Sequence, residues 1–173
     1  MAERPVILVT AGSAGLGAAV ARLFAKRGYR IVINYAHNSK RAIELIEELS
    51  ALTSHADASD KSYIMIQADL AIRSEIERLV EETISAMGRI DVVLSNGGWT
   101  RFTDMSSLDD NVSESDWDRA FAMNVKSHLW LLHAARGALE DSSGSFITTA
   151  STAGVSTSGS SLVRSPPYTA LNS

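Results

Sequence analysis

The residues best suited to chemistry lie close to the amino terminus. A short apolar run, Val6–Thr10, feeds into Thr10-Ala11-Gly12-Ser13-Ala14-Gly15-Leu16-Gly17, and a helical pattern follows at once. Glycines between a strand and a helix let the backbone turn tightly and approach a pyrophosphate, which then rests on the free N–H groups of the helix N-terminus. The plainer alternative is a tight turn with close helix–strand packing. A second run ends in Asn34-Tyr35-Ala36-His37-Asn38-Ser39-Lys40-Arg41. A carboxylate at such a strand end binds the ribose 2′-hydroxyl of NAD and repels a 2′-phosphate. No acid stands there, so the sequence favours NADP (NADPH) over NAD, with Ser39, Lys40 or Arg41 as candidate phosphate contacts. The alternative for Lys40 and Arg41 is solvation of a helix start.

These residues need a scaffold. Apolar or β-branched runs recur at Val6–Thr10, Arg30–Tyr35, Tyr63–Gln67, Ile90–Ser95 and Ser145–Ala150. Between them lie helical stripes: Ala18, Ala21, Leu23, Phe24 and Ala25 before Gly28; Ile43, Ile46, Leu49 and Leu52; and Ile76, Leu79, Val80, Thr83 and Ile84 before Gly88. Ser74 is the expected cap of the third helix. A longer helix is expected from about Asp116 to Leu139, capped by Ser115. Strands separated by single helices pair in parallel through right-handed crossovers, and runs apolar throughout suit strands covered on both faces. The expected architecture is a doubly wound α/β parallel sheet of about five strands, with ligands beyond the carboxyl ends of the strands. Two polar connections interrupt the rhythm, Gly97–Glu114 and Ser151–Pro167.

Composition narrows the function classes. With 45% hydrophobic and 21% charged residues, the composition is that of globular proteins and argues against wholesale disorder. Sixteen Lys+Arg against twenty Asp+Glu give a net charge of −4 without a basic run, which argues against nucleic acid or an anionic membrane as partner. The absence of cysteine removes disulfides, thiolate metal sites and cysteine nucleophiles. No apolar stretch approaches a membrane span, and a strand starts almost at once, so the expected location is cytoplasmic. His37, His55, His128 and His133 are scattered, and no metal site is expected. Trp99, Trp117 and Trp130 read as packing residues, with Trp99 a candidate for the substrate side.

Taken in order, these motifs resemble the short-chain dehydrogenase/reductase family over nearly the whole chain. The family's Thr-Gly-x-x-x-Gly-x-Gly aligns with Thr10 to Gly17, with Ala11 in place of the first glycine and Gly12 after it. The resemblance implies an NAD(P)-binding Rossmann-type fold in which Thr10, Gly12, Ser13, Gly15, Leu16, Gly17, Tyr35, Asn38 and Ser39 contact the dinucleotide. It implies that Asp69, in Ala68-Asp69-Leu70, meets the adenine together with Leu70. Asn96, Gly97 and Gly98 stand where the family has Asn-Asn-Ala-Gly lining the adenosine pocket. Asn124, in Met123-Asn124-Val125, matches the asparagine that supports a proton relay. Ser151 matches the serine that holds the substrate oxygen, and Tyr168 the tyrosine that gives or takes the proton. The implied reaction is hydride transfer between NADP(H) and a small carbonyl or alcohol substrate. A homo-oligomer is left open.

Two departures stand out. Four residues after Tyr168, where the family carries lysine, stands Asn172. Asparagine supplies no positive charge, and a free tyrosine titrates near 10, so phenolate is scarce at neutral pH and turnover is expected to be impaired. The chain also ends soon after the tyrosine, so residues 1–173 are expected to form a single dinucleotide-binding domain, incomplete at the C-terminus relative to the family. Two other readings remain: a non-catalytic NADP(H)-binding pseudoenzyme acting through a partner chain, and a truncated product without function.

Overall fold

A computed structural model of the protein describes residues 3–52, 62–104 and 106–152. Five strands form one parallel sheet: β1 (Val6–Val9), β2 (Arg30–Tyr35), β3 (Tyr63–Gln67), β4 (Val92–Ser95) and β5 (Ser145–Thr148), in the order β3-β2-β1-β4-β5. The helices are α1 (Gly15–Lys26), α2 (Ser39–Leu52), α3 (Arg73–Met87), α4 (Glu114–Phe121) and α5 (Ser127–Ser142). The doubly wound α/β architecture read from the sequence is the one observed.

Alternation along β1 shows why its run is apolar throughout. Val6 and Leu8 join Val32, Ile66 and Val93 under α3 and α5, while Ile7 and Val9 join Ile31, Ile33 and Leu94 under α1 and α2. All four β1 residues are fully buried, so every position of the strand faces one core or the other. Register places Leu8 opposite Val32 on one side and Val93 on the other, and truncating it to alanine would cost about 2–5 kcal/mol. β5 is different: its residues are exposed or half-buried, with Ile147 46% exposed.

Helix ends follow the glycine signals. Gly28 and Gly88 both adopt left-handed backbone, at φ 84° and 74°, just past α1 and at the end of α3. The expected caps differ. Helix α3 begins at Arg73, so Ser74 lies inside its first turn, and the Glu75 carboxylate instead reaches back to the Asp69 N–H at 2.6 Å. Ser113 occupies the cap position of α4, and Ser115 bonds to its hydroxyl at 3.1 Å.

The single long helix expected from Asp116 to Leu139 is a correction. A π-helical segment, Ala122–Lys126, separates α4 from α5. There the Ser127 N–H reaches back five residues to the Ala122 carbonyl, while the Ser127 hydroxyl donates to the Met123 carbonyl at 2.6 Å. Such wide turns redirect the side chains they contain and recur at functional sites.

Candidate functional site

The carboxyl end of β1 is where two turns meet. The buried Thr10 hydroxyl donates to the Leu94 carbonyl at 3.3 Å and accepts the N–H groups of Asn96 and Gly97 at 2.8 and 3.1 Å. The Asn96 amide returns a bond to the Thr10 carbonyl at 3.3 Å. Thr10 and Asn96 therefore lock the exits of β1 and β4 together. Beyond Thr10, Ala11 takes left-handed backbone at φ 47°, and Gly15 follows at φ 53°.

Two glycines in this turn are required by close approach. A Cβ on Gly12 would lie 2.9 Å from both the Ile33 side chain and the Val9 carbonyl oxygen. One on Gly17 would lie 2.6 Å from the Ala11 carbonyl oxygen. The turn thus packs directly on β2 and on the first turn of α1, whose Gly15, Leu16 and Gly17 N–H groups precede the first intrahelical bond, Ala18 N–H to Ala14 carbonyl. That first turn carries no acidic residue and no side-chain cap, so its positive end is available to an anion. Ser13 is half-buried and Leu16 is 57% exposed on the same rim. A backbone cradle with no room for side chains, feeding a free helix N-terminus, fits a dinucleotide pyrophosphate.

At the end of β2, Tyr35 is half-buried and Asn38 and Ser39 are exposed. The Asn38 carboxamide oxygen accepts the Arg41 N–H at 3.0 Å, which makes it the cap of α2. Lys40 is extended into solvent 4.0 Å from Glu44. At the end of β3, Asp69 accepts the Ala71 N–H at 2.9 Å, closing the turn into α3. Buried Leu70 packs so tightly on Gly97 that a Cβ there would strike its Cδ1. Gly98 is exposed.

On the β4–β5 side the organising group is Asn124. It is fully buried in the π-helical segment, where its carboxamide accepts the Trp99 N–H at 2.7 Å and donates to the Trp99 carbonyl at 2.8 Å. Arg119 lies over the Trp99 ring at 5.6 Å, and Arg101 pairs with Asp116 at 2.6 Å. The chain leaving β4 is thereby strapped to α4. One turn past Asn124, buried His128 shares a 2.6 Å hydrogen bond between its Nδ1 and the Ser95 hydroxyl, and burial holds its imidazole below the ordinary histidine pKa. The Ser95 carbonyl accepts the Thr149 N–H at 3.1 Å, drawing the chain beyond β5 toward β4 and leaving Ser151 half-buried beyond the strand ends. Tyr168 and Asn172 lie outside the described residues.

Three contributors escaped sequence reasoning. Asn34, His128 and Glu75 each place a strand end or its turn, and each is a polar residue inside an otherwise apolar or helical pattern. For His128 a signal existed, since it stands four residues after Asn124 and shares its helical face. A cleft of about 610 Å³ opens along the outer edge of β3 between Ala36, His37, Gln67, Asp69 and Arg78. Of the residues singled out from the sequence it contains only Asp69. Among the described residues no three His, Asp or Glu side chains gather to hold a metal, and no helix is long and apolar enough to cross a membrane.

Comparison with known proteins agrees with this geometry. A hydroxynaphthalene reductase of Aspergillus fumigatus is 35% identical over 130 residues, 75% of this chain and 44% of the relative. A hydroxynaphthalene reductase-like protein of Metarhizium brunneum is 33% identical over 136 residues, 79% of this chain and 47% of the relative. The chain thus spans a little under half the length of these curated relatives. A solved short-chain dehydrogenase/reductase from Burkholderia xenovorans superposes with a TM-score of 0.84 at 25% identity, covering 99% of this chain and 69% of that one. An alcohol dehydrogenase from the archaeon Thermococcus sibiricus, solved with 5-hydroxy-NADP, shares the fold at 21% identity and a TM-score of 0.81, over 97% of this chain and 67% of that one. The family model for short chain dehydrogenases matches residues 5–170, and the chain belongs to that family.

Proposed function

We propose that the protein binds NADP(H) across the carboxyl ends of β1, β2 and β4 and acts as an oxidoreductase on a small carbonyl or alcohol, with turnover limited by Asn172. The observation that carries this reading is the turn from Thr10 to Gly17. Gly12 and Gly17 leave backbone alone facing the helix N-terminus, which suits a pyrophosphate and little else. Preference for NADP rests on the end of β2, where residues 34–41 hold no acid and Ser39, Lys40 and Arg41 are exposed. The archaeal neighbour solved with an NADP derivative is consistent with it.

When bound, the nicotinamide would supply or accept a hydride at the substrate carbon. The chain would do the rest. The Ser151 hydroxyl holds the substrate oxygen, the Tyr168 hydroxyl exchanges a proton with that oxygen, and Asn124 keeps the Trp99 segment in place. Asn172 offers no cation to lower the Tyr168 pKa, so proton transfer is slow near neutrality.

Titration of NADPH fluorescence tests the binding half, and NADH binding as tightly as NADPH would overturn the cofactor preference. For the chemistry, Asn172→Lys should raise carbonyl reduction by about 10²-fold, the lower range of positioned proton transfer. NADPH binding with no turnover in either form would favour the second reading, a dinucleotide-binding pseudoenzyme, for which Asn172 is the specific motive. A cytoplasmic location belongs to the same proposal and is checked by cell fractionation.

A further inference from the structure

The phosphate turn contains an anomaly. Ala11 sits at φ 47°, in left-handed backbone that costs a side-chain-bearing residue energy and a glycine nothing. Alanine here replaces the glycine of the family pattern, so something else must hold the conformation. The partner is Asn34, the next-to-last residue of β2. Asn34 is 2% exposed and follows three apolar residues, Ile31, Val32 and Ile33, in a strand that opens with Arg30. The carboxamide oxygen of Asn34 accepts the Ala11 N–H at 3.1 Å, and its main-chain carbonyl accepts the Gly12 N–H at 2.9 Å. On its other side the carboxamide nitrogen donates to the Ala68 carbonyl at 3.0 Å, immediately before Asp69. One buried amide therefore spans the phosphate turn and the exit of β3.

We propose that Asn34 is a positioning residue for the dinucleotide: it pins Ala11 in a glycine's conformation and ties the phosphate turn to the chain that leads into Asp69. The proposal rests on the reading that the turn receives a dinucleotide. Burying an amide in a strand is tolerable only when its hydrogen bonds are satisfied, and here both ends of the amide are used on segments flanking the proposed cofactor. The Ala11 peptide matters because its carbonyl lies against Gly17, at the start of α1. If Ala11 relaxes out of left-handed backbone, that carbonyl turns and the helix N-terminus loses its fit to the phosphates.

The test is a double-mutant cycle read in NADPH affinity, with thermal stability recorded alongside. Asn34→Leu keeps the shape and removes the side-chain bonds; it should weaken NADPH binding about tenfold, the upper range for one lost hydrogen bond. Ala11→Gly alone is the reference corner of the cycle: in that background, adding Asn34→Leu should weaken binding by no more than about threefold instead of about tenfold. In the double variant, glycine adopts the conformation without the clamp, and affinity should return to within about threefold of the parent protein. A purely structural role for Asn34 would show otherwise: Ala11→Gly would shift stability equally in both backgrounds and leave the affinity loss unrepaired, and that result overturns the proposal. A second measurement covers the case in which Asn34→Leu does not fold. In the unaltered, ligand-free protein the Ala11 N–H should exchange with solvent as slowly as the sheet amides, although Ala11 is itself exposed. Exchange at the rate of an open loop overturns the clamp. Absence of saturable NADPH binding by the unaltered protein is the failure of the dinucleotide reading instead, and the exchange rate of Ala11 then decides the clamp alone.

Discussion

The two sides of the sheet hold their carboxyl ends by different means. Around β1 and β2 the turn is set by close backbone approach, with Gly12 and Gly17 placed where any side chain would strike a carbonyl oxygen, and one buried side chain, Asn34, clamps it from β2. Around β4 and β5 the chain is fixed by side chains reaching across. Asn124 holds Trp99, Arg101 meets Asp116, and the Thr103 hydroxyl donates to the Asn111 carboxamide at 2.7 Å. The Trp117 ring N–H then donates to the Asn111 carbonyl at 2.8 Å. Backbone contact fixes one shape and tolerates little substitution. A strap of side chains can be altered link by link while the scaffold stands.

The sharpest break of this contrast is a pair of glycine substitutions. Gly17→Ala places a methyl 2.6 Å from the Ala11 carbonyl oxygen, and a backbone atom cannot move aside without moving the turn. It should destabilise by about 1–3 kcal/mol in urea unfolding, as overpacking does, and abolish NADPH binding. Gly97→Ala meets the Leu70 Cδ1, the far end of a side chain that can rotate. Its cost should be smaller, and Leu70→Val, which removes that atom, should repair much of it. Equal costs in the two glycine variants, or a repairable Gly17→Ala, would erase the distinction between the two sides.

Next in its effect on NADPH binding comes Asn124. Replacing it by leucine removes two short bonds and leaves the Trp99 N–H and carbonyl without their partner, a loss of about 2–3 kcal/mol by chemical denaturation. Arg101→Ala removes a rim ion pair, with Arg101 49% and Asp116 19% exposed, and should cost about 0.2–1 kcal/mol. Neither should change NADPH affinity as much as Gly17→Ala. A larger affinity loss from Asn124→Leu would show that the strap also shapes the dinucleotide side.

The same contrast explains what the sequence made legible. Strand positions, parallel pairing and the glycine turn could be read because they depend on apolar periodicity and on glycine, both local signals. The break between α4 and α5 could not, because the π-helical segment is set by a backbone bond to Ala122 and by Ser127 turning back on Met123, and neither alters the apolar stripe. Asn124 and Ser151 were found by motif, yet the bidentate grip of Asn124 on Trp99 joins residues 25 apart in sequence. Asn34 was passed over because a single polar residue in a buried strand carries no pattern of its own. Its meaning comes from Ala11 and Ala68, which only the fold brings together.

The effect of His128 separates the two sides by pH. Burial holds its imidazole below the ordinary value, so the folded protein resists a proton that the unfolded chain accepts below about pH 6.5. The unfolded state then binds more protons than the native state, and stability must fall as pH drops through that range. The contribution is intact above the unfolded value and lost toward the folded one, at no more than about 1.4 kcal/mol per pH unit. The thermal midpoint should decline from pH 7 to pH 5.5, and His128→Asn, which removes the titration, should flatten that decline. An unchanged slope would place the acid sensitivity elsewhere. Because His128 grips Ser95, whose carbonyl holds Thr149, the loosening belongs to the β4–β5 side. At pH 5.5 protection from hydrogen exchange should therefore fall at Thr149 before it falls at Ala11 or Gly12, whose bonds to Asn34 contain no group that titrates there.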